Sequence, residues 1–169
     1  IVYDLVKISD VVVANFRPGV MEKLGFGYEE LSRIKPRIIC AYGTGYGLTG
    51  PDRDTLGQDM MAQCRAGLVR GNPPRSCGFN LVDQFGGVLL ATGVMLALAA
   101  REKTGKGQVV DSNLLNTALQ TDQPGATAYL NSEYGKPKTP AQPEKKKVGH
   151  PCYALYKGKD GKWVHIIDA

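Results

Sequence analysis

The chain is poor in residues that several common kinds of site require. Its two histidines, His150 and His165, accompany no serine or cysteine in a nucleophile-elbow pattern such as GxSxG, which argues against a histidine-dependent triad. The four cysteines form no CxxC pair, which argues against a zinc site and is typical of reduced thiols in a cytoplasmic protein. The longest uncharged run, residues 84–100, falls just short of the roughly 18 to 20 apolar residues that cross a membrane. The composition therefore predicts no metal centre and no membrane anchor.

The chain has a net positive charge, but its basic residues are not arranged as in nucleic-acid-binding proteins. The net charge is +5, and the one tight basic cluster is Lys145, Lys146 and Lys147. No basic stripe is interleaved with aromatic residues, which argues against nucleic acid as a partner, whereas a phosphate-rich small ligand suits the same charge. A hydrophobic fraction of 43% with 22% charged residues is the balance of a globular protein.

Segments whose apolar residues have the spacing of a strand alternate along the chain with segments that have the spacing of a helix. β-branched runs predict strands at "DVVVAN" (residues 10–15), "RIICAYG" (residues 37–43) and "VVDSN" (residues 109–113). Helical spacing predicts helices at residues 28–34, 58–69, 81–103 and 114–130. We expect the first strand to be buried on both faces and the long apolar helix to be buried in the core. The alternation indicates an α/β fold with a parallel sheet.

The composition changes after residue 130. Residues 131–149 are rich in Pro, Lys, Gly and Glu, as in a linker, and "CYALYKGKDGKWVHIIDA" then alternates apolar and polar residues around Asp160-Gly161, which predicts a β-hairpin. We therefore predict a large α/β domain in residues 1–130, a linker in residues 131–149 and the start of a small domain in residues 150–169. The first residue is not methionine and the last residues form a predicted strand, so we expect a piece of a longer chain.

A glycine-rich segment, "GYGLTG" (residues 45–50), fits GxGxxG after a strand. The next residues, Pro51-Asp52-Arg53, do not open a helix, and Arg70 stands about 20 residues on where an acidic residue is required. The pattern favours a glycine-rich loop beside a ligand over a dinucleotide fingerprint.

A single carboxylate, Asp83, heads the apolar segment "NLVDQFGGVLLATGVMLALAA" (residues 80–100), which has no other charge before Arg101. A carboxylate in the first turn of a helix gains about 0.3 to 1 kcal/mol from the helix dipole. The alternative is chemistry, because small residues in "DQFGG" leave room beside the carboxylate for a bulky ligand.

A second polar group follows the first predicted strand. "NFRPGVMEKLG" places Asn15, Phe16, Arg17 and Lys23 where open α/β sheets bind ligands. An aromatic ring, an amide and two cations suit a base and phosphates, although a solvated turn has the same composition.

Several blocks together resemble the class III coenzyme A transferases, a family that includes formyl-CoA:oxalate, carnitine and bile-acid CoA transferases and α-methylacyl-CoA racemase. The resemblance runs nearly end to end, in matching order, through the blocks "DVVVANFRPGVMEKLGFGYEEL", "GYGLTGPDRD", "GQDMMAQ", "NLVDQFGGVLLATGVMLALAAREKTGKGQVVD" and "HPCYALYKGKDGKW".

This resemblance implies a Rossmann-like domain that is incomplete at its N-terminus, followed by a linker and a small α+β domain. It implies interlocked homodimers that act on an acyl-CoA and a carboxylic acid, with coenzyme A as substrate and no permanently bound cofactor. It implies Asp83 as the catalytic nucleophile. The coenzyme A contacts that it implies are Asn15, Phe16, Arg17, Lys23, Gln58 and Asp59.

Two departures bear on the reaction. Racemases of the family have a histidine at the position of Gln58, and glutamine cannot transfer a proton, which argues against racemisation. Formyl-CoA transferase has a glycine run where this chain has "KKKVGHPC", which argues against formyl-CoA and oxalate. A racemase or epimerase, and a non-catalytic nucleotide-binding module, remain the alternatives.

Overall fold

The computed structural model describes residues 1–71, 73–131 and 153–167. The elements of these residues are, in order, α1 (Val2–Ile8), β1 (Val11–Ala14), α2 (Val20–Lys23), α3 (Tyr28–Ile34), β2 (Ile39–Thr44), α4 (Asp59–Arg65), α5 (Leu81–Thr104), β3 (Val109–Asn113), α6 (Leu114–Thr121), α7 (Gln123–Leu130), β4 (Tyr153–Lys157) and β5 (Trp163–Ile167).

The first three strands form a parallel sheet in the order β1-β2-β3. Ala41 at the centre of β2 lies opposite Val13 of β1 and Val110 of β3. The connections between these strands run through helices, which confirms the predicted α/β fold. The proposed division into domains remains a prediction, because residues 132–152 fall outside the described part of the chain.

The last two strands form the predicted hairpin, with β4 antiparallel to β5. Gly161 adopts a positive φ of 80° in the connection, a conformation that glycine reaches without strain. The Gly158 N–H donates to the Lys162 carbonyl at 2.7 Å and closes the turn.

The sheet is covered on both faces near β2. One face packs against α1, α2 and α3 through a core that includes Val6, Leu31, Cys40 and Tyr42. Helix α5 packs across β2 and β3 on the other face. Its approach is close, because a β-carbon on Gly93 would lie 2.7 Å from Val110 Cγ1.

Helix α5 is far more exposed than we expected. Val82, Ala97 and Arg101 are its buried residues, whereas its exposed large apolar side chains are Phe85, Val88, Leu89, Met95 and Leu96. By length and composition alone α5 is apolar enough to cross a membrane, with a mean hydropathy of 1.7. The prediction of a buried helix is wrong within this chain, because the described residues cover one side of a helix that is apolar on all sides.

Two further predictions are wrong in detail. Strand β1 is not buried on both faces. Val13 is 66% exposed, because it lies on a part of the sheet that α5 does not cover. The helix predicted over residues 114–130 is two helices that meet at Asp122. Pro124 explains the break, because proline has no N–H for a helical hydrogen bond and its ring clashes with the preceding turn.

Candidate active site

A cleft of about 530 Å³ opens where the three parallel strands end. Asn15 follows β1, Thr44 ends β2, and Ser112 lies near the end of β3. The cleft is lined by Asn15, Gly43, Thr44, Gly45, Gly57, Gln58, Asp59, Met60, Asn80, Asp83, Gly86, Gly87, Leu90, Ser112 and Leu114. Open α/β sheets bind ligands at this edge.

Two loop backbones cross at the rim of the cleft. A β-carbon on Gly45 would lie 2.6 Å from Gly57 Cα, and one on Gly57 would lie even closer to Gly45 Cα. Side chains at these positions would force the loops apart. Two glycines therefore allow the segment that begins α4, with Gln58 and Asp59, to lie directly against the end of β2.

Hydrogen bonds to strand residues hold the glycine-rich loop in place. Thr44 Oγ1 donates to Asp111 Oδ1 at 3.2 Å and accepts the Gly47 N–H at 3.0 Å. Asp111 Oδ2 accepts the Leu48 N–H at 3.3 Å. The loop leads through turns to α4 rather than directly into a helix, so it forms a wall of the cleft and lacks the geometry of a dinucleotide fingerprint.

Asp83 is the third residue of α5, so its carboxylate lies at the positive end of the helix dipole. Its backbone N–H donates to Asp59 Oδ2 at 2.8 Å. Within the described part of the chain, no hydrogen bond or ion pair engages the Asp83 carboxylate, which is thus available to a ligand. Partial desolvation raises the pKa of the still accessible Asp83 carboxylate, and the nearby charge of Asp59 raises it further.

The two glycines after Asp83 have different surroundings. A β-carbon on Gly86 would lie 3.6 Å from Leu114 and Thr117 of α6, so Gly86 is a packing position. A β-carbon on Gly87 would meet nothing within 4 Å. The space predicted beside the carboxylate therefore lies at Gly87.

The structure brings together four of the seven predicted site residues. Asn15, Gln58, Asp59 and Asp83 line the cleft. Phe16 and Arg17 line a smaller neighbouring concavity with Pro18, Gly19, Met21, Glu22, Tyr42 and Leu48. Lys23 ends α2 and lines neither.

Thr44, Asn80 and Ser112 also line the cleft, and no sequence motif had indicated them. Their signal was positional, because each stands at the end of a predicted strand or just before a predicted helix. Among the described lining residues, only Asp59 and Asp83 carry a charge. The described residues contain no cluster of three metal-binding side chains, and Cys40, Cys64 and Cys77 are free thiols.

Solved structures share this fold. The chain aligns with the crystal structure of Rv3272 from Mycobacterium tuberculosis at a TM-score of 0.73 and 35% identity, covering 77% of this chain and 38% of the other. A CAIB/BAIF family protein from Brucella suis aligns at the same TM-score and 33% identity, covering 98% of this chain and 44% of the other.

Curated relatives carry the names of CoA transferases and of a racemase. Acetyl-CoA:oxalate CoA-transferase of Acetobacter aceti is 42% identical over 69% of this chain and 31% of its own length. The succinyl-CoA–L-malate CoA-transferase beta subunit of Chloroflexus aurantiacus is 37% identical over 96% of this chain and 41% of its own length. Human alpha-methylacyl-CoA racemase is 34% identical over 96% of this chain and 43% of its own length.

The chain thus spans less than half the length of these relatives. The family resemblance seen in its motifs is nevertheless confirmed over almost every residue. The sequence model of CoA-transferase family III matches residues 1–168, and the chain belongs to that family.

Proposed function

We propose that the full-length protein transfers coenzyme A from an acyl-CoA donor to a free carboxylic acid, with Asp83 as the nucleophile. The observation that carries the proposal is the Asp83 carboxylate, which has no hydrogen-bond partner among the described residues and lies in a cleft of about 530 Å³ beside open space at Gly87. Names of relatives in the same family support it.

The reaction begins when an Asp83 oxygen attacks the thioester carbonyl carbon of the donor. The C–S bond breaks, coenzyme A leaves as a thiolate, and Asp83 becomes a mixed anhydride. The thiolate then attacks the Asp83 carbonyl carbon, which releases the donor acid and leaves an aspartyl-CoA thioester. The acceptor acid reverses these steps and leaves as its own CoA thioester. A carboxylate suits this role because an anhydride keeps the energy of the thioester available.

The surroundings of Asp83 favour such intermediates. The backbone N–H groups at the start of α5 give the site a partial positive charge, which stabilises oxyanions that form beside them. The raised pKa of Asp83 makes the ionised carboxylate a better nucleophile than an ordinary aspartate.

We propose that coenzyme A contacts the cleft and the end of β1. Phe16 is 55% exposed and offers a ring for the adenine, while Arg17 and Lys23 offer cations for phosphates. Asn15 and Gln58 line the same cleft as Asp83, on the side of the thioester. On this proposal the enzyme is a cytoplasmic homodimer that requires neither a metal nor a permanently bound cofactor.

A racemase or epimerase remains the alternative, because human alpha-methylacyl-CoA racemase is a relative. That reaction needs a base and an acid at the α-carbon, and Gln58, which lines the cleft, does not titrate. Exchange of deuterium from solvent into the α-carbon of a 2-methylacyl-CoA would favour the racemase. A binding module would bind coenzyme A and transfer nothing.

The decisive experiment uses the full-length protein with acetyl-CoA or succinyl-CoA and a panel of acids that includes oxalate and malate. Exchanged thioesters are identified by mass spectrometry. We expect wild-type protein to exchange at least one pair, and Asp83→Asn to exchange none while still binding coenzyme A. Hydroxylamine added during turnover should modify Asp83. The exposed Asp54→Asn variant is the matched control; full transfer by Asp83→Asn would refute the mechanism.

A further inference from the structure

The side chain of Asp59 is placed to act on Asp83. Asp59 is the first residue of α4 and is 5% exposed, and its Oδ2 accepts the Asp83 backbone N–H at 2.8 Å. Its Oδ1 accepts a hydrogen bond from Gln63 Nε2, one turn along the same helix. Gln63 is fully buried, so both oxygens of Asp59 are engaged inside the protein.

This contact replaces an ordinary helix cap. The side chain of Asn80, at the N-cap of α5, does not cap the helix, and Asp83 stands three residues further on. The N–H of that third position is one of the donors that a helix leaves unsatisfied at its start. Asp59 supplies the acceptor from another helix, and thereby fixes the backbone of the residue whose side chain enters the cleft.

We propose that Asp59 is a positioning residue rather than a contact for coenzyme A. It orients the backbone of the Asp83 nucleophile and places a negative charge beside it. This inference rests on the proposed function of Asp83. It replaces the coenzyme A contact that the family resemblance implies for Asp59, because an ionised carboxylate only accepts hydrogen bonds and carries the same sign of charge as the phosphates of the ligand.

Electrostatics gives the contact a second role. Asp59 and Asp83 are the only charged residues among the described lining of the cleft, and α6 carries no ionisable side chain. Arg65 of α4 is paired with Asp52 and stacked on Tyr46. In β3, Asp111 is bonded to Thr44 and Leu48, as described above. Asp59 is therefore the charge that faces Asp83 from the elements around it, and it adds to the larger effect of desolvation in raising the pKa of Asp83.

This repulsion changes during the reaction. When an Asp83 oxygen forms the mixed anhydride, its negative charge leaves with the coenzyme A thiolate. The fixed charge of Asp59 then faces a neutral group. The charge of Asp59 thus destabilises the free Asp83 carboxylate more than the acylated form, and this difference favours acylation.

The test compares three variants of the full-length protein. Asp59→Asn removes the charge and keeps an acceptor for the Asp83 N–H, because the Gln63 amide can turn to accept from the new side chain. We expect kcat to fall about tenfold or more and KM for acyl-CoA to stay within about twofold, since the change acts on a step after binding. We also expect the acid limb of the kcat/KM profile to move to lower pH, because Asp83 loses a charge that raises its pKa.

Gln63→Leu is the second variant, chosen in case Asp59→Asn does not fold. It removes the donor to Asp59 Oδ1 and leaves every side chain that lines the cleft in place. We expect a lower kcat with an unchanged KM. The third variant, Asp54→Asn, removes the same charge from an exposed loop and should match wild type.

Each outcome supports or overturns the proposal. A raised KM with an unchanged kcat in Asp59→Asn would mean that Asp59 contacts the substrate. A lower melting temperature alone, with wild-type kcat and acid limb, would mean that it only stabilises the fold. Either result overturns the positioning role while leaving Asp83 as nucleophile. An active Asp83→Asn variant would overturn both proposals.

Discussion

Gly45 and Gly57 touch backbone to backbone, and each occupies the space that a β-carbon on the other would need. Neither residue has a positive φ, so conformational freedom does not explain them. Their small size brings the loop after β2 and the loop before α4 together at the cleft. The geometry of Gln58 and Asp59 therefore depends on two residues that carry no functional group.

Gly57→Ala should destabilise the full-length protein by about 1 to 3 kcal/mol, because the added methyl group must push the Gly45 loop aside. Gly87→Ala is the control, since its methyl group meets nothing and alanine favours a helix by up to about 1 kcal/mol. Denaturant unfolding measures both. Equal stabilities in the two variants would contradict the close approach.

Phe16→Ala and Lys23→Ala should each weaken coenzyme A binding by roughly 1 to 3 kcal/mol, through loss of stacking and of a charge-assisted contact. Calorimetric titration of the full-length protein measures the change. Lys103→Ala is the control, because Lys103 is exposed at the opposite end of α5 from the cleft. Wild-type affinity in both variants would refute the site at the end of β1.

The raised pKa of Asp83 has a consequence for stability. The folded state holds the Asp83 proton more tightly than the unfolded state does, so this residue lowers stability as pH rises through its folded pKa. Above the folded pKa of Asp83, Asp83→Asn should therefore melt at a higher temperature than wild type, and the difference should shrink in acid. An Asp83→Asn variant that melts below wild type above that pKa would contradict this sign.

The 169-residue chain expressed alone should be inactive and prone to aggregate. Val13 and the apolar side chains of α5 are exposed in it, including Met95 and Leu96, which are both 67% exposed. Such a surface favours association. Size-exclusion chromatography and a transfer assay measure the outcome, with the full-length protein as the reference; a soluble, monomeric and active chain would contradict the prediction.

Local patterns predicted most of the secondary structure. The β-branched run at β3 and the helical spacing at α3 were predicted at the residues where the structure has them. Both elements are set by their own periodicity and by the residues that flank them. The break at Pro124 was equally local, yet the apolar spacing on both sides of it suggested one continuous helix.

The site was only partly predictable, because it depends on contacts between distant segments. Position at a strand end indicated Asn15, and the resemblance indicated Asp83. No local signal shows that Asp59 accepts the Asp83 N–H across 24 positions of sequence. Nor did composition reveal the exposed side of α5, since burial depends on what surrounds a helix rather than on its own residues.

Helix α5 is held at both ends. Near its C-terminus, Arg101 donates to Asp10 at 3.0 Å and to the Arg37 carbonyl at 3.1 Å, just before β1 and β2 begin. Asp83 lies 18 positions earlier, about 27 Å away at the helical rise of about 1.5 Å per residue. The helix thus connects the side of the sheet where the parallel strands begin with the side where they end. A substitution at Arg101 would release the end of this helix that lies opposite Asp83, so we expect it to weaken the fold without altering any residue that lines the cleft.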